Sequence, residues 1–182
     1  MNRRILALSI ALSAMVAHLA MAQWPGPKAP AIPAADGYVV IPDVAVPPDG
    51  AHTYRAIFDA KSGPDKPDQL VPALNMAGSE LNAFAVAAVP RAHVKFAVVF
   101  RGAAMDGLLN DTHYKGKFGV SNPNLPVLEQ MKKAGVELFV CGQNVALEHM
   151  DPNSLSPAVT IASDALIVLM EYHDRGYALF SF

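Results

Sequence analysis

From residue 52 to the C-terminus, strand-like and helix-like blocks alternate along the chain. The segments "TYRAIFDA" (53–60) and "HVKFAVVF" (93–100) are rich in β-branched and aromatic residues, as is typical of strands. Between them, apolar residues recur every three or four positions, which predicts a helix. Pro72 suits the first turn of that helix and Pro90 ends it. This alternation constrains the fold more than any other feature of the sequence.

The same pattern continues through the second half of the chain. Residues 102–119 predict a short helix and a loop, and residues 122–135 predict a helix that Gly135 ends. Cys141 is the last residue of the next predicted strand, and a short helix follows it at once. The remaining predicted elements are a strand at 159–163, a mostly buried helix "DALIVLMEYHD" at 164–174 and a final strand "YALFSF" at 177–182.

Five strands that alternate with helices indicate a mainly parallel sheet with helices on both faces. In such sheets, ligands and reactive groups gather beyond the carboxyl ends of the strands. Residues at the ends of the predicted strands are therefore the candidates for a functional site.

The N-terminus has the three parts of a secretory signal peptide. Arg3 and Arg4 give a positive start, residues 5–17 are apolar, and the sequence up to Ala22 ends in a small-x-small cleavage site. We therefore predict export across the inner membrane to a bacterial periplasm. The mature chain is predicted to start at Gln23. A retained membrane anchor is the weaker alternative, because the apolar stretch is too short to span a bilayer of roughly 30 Å.

Residues 23–50 carry seven prolines and no regular period. Proline fixes φ and lacks an N–H, which excludes a helix or an inner strand here. Two interpretations stay open: an extended linker, or an arm that packs on the domain or on a neighbouring subunit. The domain itself is predicted to span residues 51–182.

Cys141 is the only cysteine in the chain, so it cannot form an internal disulfide. In an oxidising compartment, such a thiol is buried and inert, is paired between chains, or is kept for chemistry. Its place at a strand end before a helix favours chemistry, because a helix N-terminus stabilises a thiolate. Cysteine is also among the most buried residue types, which favours simple packing.

Four polar residues near predicted strand ends or turns are further candidates. Arg101 follows the second strand and could face a thiolate or an anionic sulfur species. Gln143 and Asn144 begin the helix after the cysteine and could cap it or bind a ligand. Asn124 could bind a ligand or only shape the turn before the helix at 122–135.

Other classes of chemistry find little support. There is no C-x-x-C, no nucleotide-binding glycine motif and no G-x-S-x-G. The histidines after the signal peptide are scattered without zinc-binding spacing, so we predict no metal and no cofactor: His52, His93, His113, His149 and His173. Removing Arg3 and Arg4 leaves 12 basic against 16 acidic residues, and no basic cluster indicates nucleic acid. No membrane association is expected after signal cleavage.

The chain resembles the DsrE/DsrF-like family, and in particular its exported members, from about Thr53 to Phe182. The resemblance is carried by "YRAIFD", by "LNAFAVAAVP" leading to "VKFAVVFRG", by "FGVSNPNLPVLEQMKKAGVELFVCGQ" and by "DRGYALFSF". It implies an α/β fold, a single-domain three-layer sandwich around a mainly parallel five-stranded sheet, and assembly as a homo-oligomer. It also implies that Cys141 matches the cysteine on which sulfur-relay members carry a persulfide.

This sequence departs from the family pattern at Arg101, where similar exported proteins often have a histidine. Sulfur-relay members also work with cytoplasmic partners, which an exported protein would not meet. Our leading hypothesis is a periplasmic sulfur carrier or transferase that uses a persulfide on Cys141, with a sulfur donor or acceptor protein as its partner. The alternative is a non-catalytic module for small-ligand binding or assembly in which Cys141 is only packed.

Overall fold

The computed structural model describes residues 24–182. The predicted signal peptide at residues 1–22 lies outside the described residues. Within residues 24–182, no helix is both long enough and apolar enough to cross a membrane.

A five-stranded sheet forms the centre of the domain. All four strand pairings are parallel, and the strand order is β4-β3-β2-β1-β5. The α/β fold with a parallel five-stranded sheet is therefore confirmed. The strands are β1 (Tyr54–Ala60), β2 (Val94–Phe100), β3 (Glu137–Cys141), β4 (Thr160–Ala162) and β5 (Ala178–Ser181).

Five α-helices connect the strands, and their ends follow local sequence rules. Pro72 occupies the first turn of the first helix, Asn110 caps the second by accepting from His113 N–H, and Gly135 follows the third with φ +78°. The helices are α1 (Pro72–Val86), α2 (Asp111–Phe118), α3 (Asn124–Lys133), α4 (Gly142–Leu147) and α5 (Ala165–Asp174). Three 3-10 helices lie at Arg91–His93, Gly102–Leu108 and Pro152–Ser154.

The two faces of the sheet are covered unequally. On one face, α1 and α3 pack over the larger core, which contains Phe58, Phe100 and Leu128. On the other face, α5 covers a smaller core that contains Ile57 and Val99. These are called the α1 face and the α5 face below. Strand alternation separates the two sets, because neighbouring residues of a strand point to opposite faces.

The prediction that α5 is mostly buried was wrong. Ala165, Val168 and Tyr172 are buried, whereas the apolar residues Leu166 and Met170 are 58% and 60% exposed. An uninterrupted apolar segment has the sequence pattern of a helix that is buried on all sides. Here only one side of α5 meets the sheet, and no other element within residues 24–182 covers its outer side.

The proline-rich segment before the domain packs on α1. Asn82, which is fully buried, accepts hydrogen bonds from the N–H groups of Ala31 and Ile32 and donates to the carbonyls of Ile32 and Asp36. Ile32 is itself fully buried in the α1-face core. Residues 28–38 therefore lie against the domain as an ordered arm in this structure.

Candidate functional site

A row of polar and reactive side chains lies on the α5 face, at the carboxyl ends of neighbouring strands. Ser181, Asp59 and Cys141 lie within or at the ends of β5, β1 and β3, and Arg101 directly follows β2. Parallel pairing brings these strand ends to the same edge of the sheet. This row, from Ser181 through Asp59 and Arg101 to Cys141, is called the rim.

Cys141 packs at the base of the rim and is only 4% exposed. Its neighbours in the α5-face core include Ala97, Val99, Ala165 and Val168. The apolar positions of β2 and α5 thus fix where the sulfur lies. A reagent that reaches Sγ has to approach past the polar end of the sheet, because the other directions are filled by these side chains.

The sulfur accepts a hydrogen bond from a helix N-terminus, but from a different helix than the sequence predicts. The N–H of Ala165, the first residue of α5, donates to Cys141 Sγ at 3.3 Å. The side chain of Cys141 makes no capping hydrogen bond to α4, which directly follows it. Pairing of Cys141 with Ala162 in β4 brings the start of α5 over the sulfur. An unpaired N–H at a helix N-terminus favours negative charge on the group that it faces.

Gly142 makes this close approach possible. A Cβ at position 142 would collide with the backbone carbonyl of Ala162. Asp164 then caps α5 by accepting hydrogen bonds from the N–H groups of Leu166 at 2.7 Å and Ile167 at 3.4 Å. The N–H of Ala165 is consequently left free for the sulfur.

Asp59 holds Arg101 on the rim through a bidentate ion pair. The guanidinium donates from Nε to Asp59 Oδ1 at 2.8 Å and from Nη2 to Oδ2 at 2.9 Å, and Ser181 Oγ donates to Oδ2 at 3.0 Å. The Asp59 side chain is 6% exposed and the Arg101 side chain is 33% exposed. Burial raises the pKa of the Asp59 carboxyl, but the hydrogen bonds from Arg101 and Ser181 and the charge of Arg101 outweigh it and lower the pKa overall.

Arg101 also lies close enough to Cys141 for an electrostatic interaction. The hydrogen bonds that Arg101 donates to Asp59 are the main cause that raises the pKa of Arg101, and partial burial opposes them. The charge of Asp59 and the negative charges available at Cys141 and Asp164 raise this pKa further. The structure therefore brings Arg101 and Cys141 to one edge of the sheet, as the sequence predicts. Arg101 thus lies at a strand end next to that of Cys141, with Asp59 as its ion-pair partner.

Two of the remaining predicted residues lie next to the rim. The exposed Gln143 donates from Nε2 to the carbonyl of Ser163 at 3.4 Å, a long contact that links α4 to the start of α5. Asn144 is half-buried in α4, where its backbone carbonyl accepts from Glu148 N–H. Gln143 is therefore the more accessible of the two candidates for contacting a group bound at the sulfur.

The structure does not bring Asn124 to the cysteine. Its side chain is fully buried on the α1 face, where Oδ1 accepts from Val71 N–H at 2.8 Å and Nδ2 donates to Asn122 Oδ1 at 2.9 Å. These bonds join the start of α1 to the start of α3. Asn124 thus has an internal structural role, because both polar atoms of its side chain are already engaged.

Sequence reasoning missed the residues that support Arg101 and the sulfur. Asp59 gives a usable signal, since a carboxylate within the apolar run "AIFDA" needs a buried partner. Ser181 and the Ala165 amide give no such signal, because their roles depend on which strands are neighbours. Within residues 24–182, no three His, Cys, Asp or Glu side chains lie together in a way that could hold a metal ion.

The fold and the rim define an α/β protein with one thiol beside a fixed cation at the carboxyl edge of a parallel sheet. The family model described as "DsrE/DsrF-like family" matches residues 56–182. The chain therefore belongs to the DsrE/DsrF-like family.

Two solved structures show the same fold. Protein MTH1491 from Methanobacterium thermoautotrophicum, whose function is described as unknown, is 18% identical with a TM-score of 0.50. The ychN protein from E. coli is 16% identical with a TM-score of 0.53. Each match covers 71% of this chain and 99% of the other chain. No curated protein matches this sequence.

Proposed function

We propose that this protein is an exported sulfur carrier that holds sulfane sulfur as a persulfide on Cys141. The observation that carries the proposal is the position of Sγ, which lies at the carboxyl rim and accepts a hydrogen bond from the first N–H of α5. Membership of the DsrE/DsrF-like family supports a sulfur-relay type of function. Arg101, which belongs to the same rim, is a cationic group that suits an anionic sulfur donor.

Loading and discharge need no external oxidant. The Cys141 thiolate attacks a sulfane sulfur of a polysulfide, a new S–S bond forms at Sγ, and the donor S–S bond breaks with its electron pair on the shortened polysulfide. An acceptor thiolate then attacks the outer sulfur, and Sγ leaves as a thiolate. In this cycle the Ala165 N–H stabilises the negative sulfur, Arg101 attracts the anionic donor, and Gln143 orients the outer sulfur.

Alkylation after polysulfide treatment tests this proposal on the folded protein. A persulfide that has reacted with iodoacetamide loses the label when a reductant cleaves its S–S bond, whereas an alkylated thiol keeps the label. We expect a reductant-labile label on the Cys141 peptide and none in Cys141→Ser. If the label on the Cys141 peptide resists the reductant at every polysulfide concentration, the carrier function is contradicted.

Arg101 offers a second arm of the same experiment. We expect Arg101→Gln to slow loading by about tenfold, because a fixed charge near an anionic donor contributes about 1–2 kcal/mol to such a reaction. Arg175→Gln is the matched control, since Arg175 also forms an ion pair, with the exposed Glu171 of α5. Equal loading rates in both variants would remove Arg101 from the proposed mechanism.

A second candidate function follows from the burial of Cys141. A side chain that is 4% exposed within an apolar cluster is what a packed, inert cysteine looks like. The protein would then be a non-catalytic binding or assembly module. Alkylation kinetics separate the two candidates: a carrier thiol reacts near neutral pH in the folded protein, whereas a packed thiol reacts only after unfolding. A disulfide between chains through Cys141 would appear in non-reducing electrophoresis.

We further propose export across the inner membrane to the periplasm, on the basis of the N-terminal sequence. N-terminal sequencing of the protein from fractionated bacteria tests this, and a mature start at Gln23 in the periplasmic fraction is the expected result. The sulfur donor or acceptor would then be a protein or small thiol of that compartment.

We also propose that the chain forms a homo-oligomer. The exposed apolar side chains of Leu166, Ile167 and Met170 support this, because they are neighbours on the outer side of α5. Their exposure in a single chain leaves apolar area that association would remove from water.

A further inference from the structure

A cavity of about 630 Å³ opens on the α1 face, between α1 and the edge strand β5. It lies on the opposite side of the sheet from Cys141. Six aromatic side chains line it: Tyr54, Phe58, Phe84, Phe96, Phe180 and Phe182. This cavity is called the aromatic groove below.

The groove is open because, within residues 24–182, no helix packs closely over the α1 face of β5. Pairing of Phe58 with Phe180 places both rings on this face, and the main strand contacts of α1 are with β1 and β2. Phe180 is consequently 47% exposed, although it lies beside the fully packed Phe58. The rings form a connected row, with centroid distances of 5.7 Å from Phe58 to Phe180 and 5.2 Å from Phe58 to Phe96.

One exposed carboxylate lies beside this row of rings. Glu80 lies on α1 four residues after Met76 and four residues before Phe84, so the three side chains share one side of the helix, and all three line the groove. None of the ion pairs formed among residues 24–182 includes Glu80. Partial burial raises the pKa of its carboxyl. Glu80 is therefore an exposed acidic group beside the aromatic rings, without an ion-pair partner among residues 24–182.

Arg55 and His52 also border the groove, but neither forms an ion pair with Glu80. Strand alternation directs the Arg55 side chain to the α5 face, since Ala56 belongs to the α1-face core and Ile57 to the α5-face core. His52 packs edge-on against Tyr54 at the border of the aromatic groove, with a distance of 4.6 Å between the ring centroids. The lining thus combines the six aromatic rings with two exposed side chains of α1, Met76 and Glu80.

We propose that the aromatic groove binds a small organic cation, an amine or quaternary ammonium on an apolar or aromatic body. Ring faces attract a cation through their quadrupole, and they bury its apolar body as well. Glu80 supplies the matching negative charge. This site is independent of the rim, so its ligand would bind whether or not Cys141 carries sulfur.

Three probes of similar size test the proposal by calorimetry and NMR shift mapping on the mature protein. Benzyltrimethylammonium is the cation, neopentylbenzene is its neutral carbon isostere, and phenylacetate is an aromatic anion. We expect the cation to bind most tightly and to shift the resonances of Phe58 and Phe180. Equal affinity for the cation and its neutral isostere, or no binding of the cation at millimolar concentration, overturns the proposal.

Matched glutamate variants identify the charge that is responsible. Glu80→Gln keeps the size of the side chain, and we expect it to weaken cation binding about tenfold. Glu129→Gln is the control, because Glu129 is an exposed glutamate on α3 that pairs with Lys133 outside the groove. Phe180→Leu should weaken binding while keeping an apolar side chain. Unchanged affinity in both Glu80→Gln and Phe180→Leu contradicts the assigned site.

Discussion

At the scale of single residues, the structure explains how a buried thiol can lie beside a charged edge of the sheet. Cys141 is the last residue of β3, so its side chain packs inward while the strand end reaches the rim. The polar half of the site is supplied by Arg101 and by the Ala165 amide. The sequence could predict Cys141 and Arg101, because each is adjacent to a recognisable strand end.

Asp59 is the residue on which the geometry of Arg101 depends. Asp59→Asn replaces the carboxylate that accepts both guanidinium hydrogen bonds with a neutral amide. We expect this change to lower the free energy of unfolding by about 2 kcal/mol at neutral pH. Ser181→Ala removes only one neutral donor and should cost about 1 kcal/mol or less. Chemical denaturation of the two variants measures the difference, and equal losses would contradict the dominant role of the ion pair.

Asp59→Asn also changes how the free energy of unfolding depends on pH. The pKa of Asp59 is lower in the folded chain than its ordinary value of 3.8, so its contribution to stability is fully present above that value. The contribution is lost as the pH falls through the folded pKa, because protonation breaks the pair. The stability gap between wild type and Asp59→Asn should therefore shrink below about pH 4. A gap that stays constant down to pH 2 would contradict this assignment.

At the scale of secondary-structure elements, the rim depends on how closely the β3–α4 turn approaches β4. Gly142→Ala should lower stability by about 2–4 kcal/mol and displace the start of α5 from the sulfur, because the new methyl group meets the Ala162 carbonyl. Gly116→Ala is the matched control: it lies inside α2 with open space around it, and the change should be neutral or stabilising by up to about 1 kcal/mol.

Thermal unfolding and Cys141 alkylation rates check this pair of variants. A Gly142→Ala protein as stable as Gly116→Ala, with an unchanged alkylation rate, would show that the turn is less constrained than the structure indicates.

Asn82 makes the largest set of side-chain hydrogen bonds to the proline-rich arm. Asn82→Ala removes the side chain that satisfies two arm N–H groups and two arm carbonyls, and the cost should be about 2–4 kcal/mol. Asn75→Ala is the control, since its contacts with Asp36 are exposed. Limited proteolysis within residues 28–38 measures release of the arm. Equal cleavage of the two variants would contradict the role of Asn82.

At the scale of the whole molecule, much of the fold follows from sequence periodicity. Strand and helix positions and the parallel sheet could be predicted, because the apolar repeat changes between elements. The exposure of α5 could not be predicted, since Leu166 and Met170 are as apolar as core residues. The supporting role of Ser181 depends on β5 pairing with β1, which no local pattern specifies.

The outer side of α5 gives the prediction that belongs to this scale. If the exposed apolar residues form a subunit interface, Met170→Glu should shift the protein from oligomer to monomer, because it places a charge in that contact. Leu147→Glu is the matched control on α4, where Leu147 is 74% exposed. Light scattering coupled to size-exclusion chromatography measures the mass. A wild-type monomer, or identical masses in both variants, would contradict the proposed oligomer.

The central claim is that Cys141 accepts sulfur and passes it on, and the intact mass of the folded protein tests it most directly. After exposure to polysulfide, we expect a gain of whole sulfur atoms that is absent in Cys141→Ser and disappears when an acceptor thiol is added. No gain on a folded, reduced sample would contradict the claim and favour a packed cysteine.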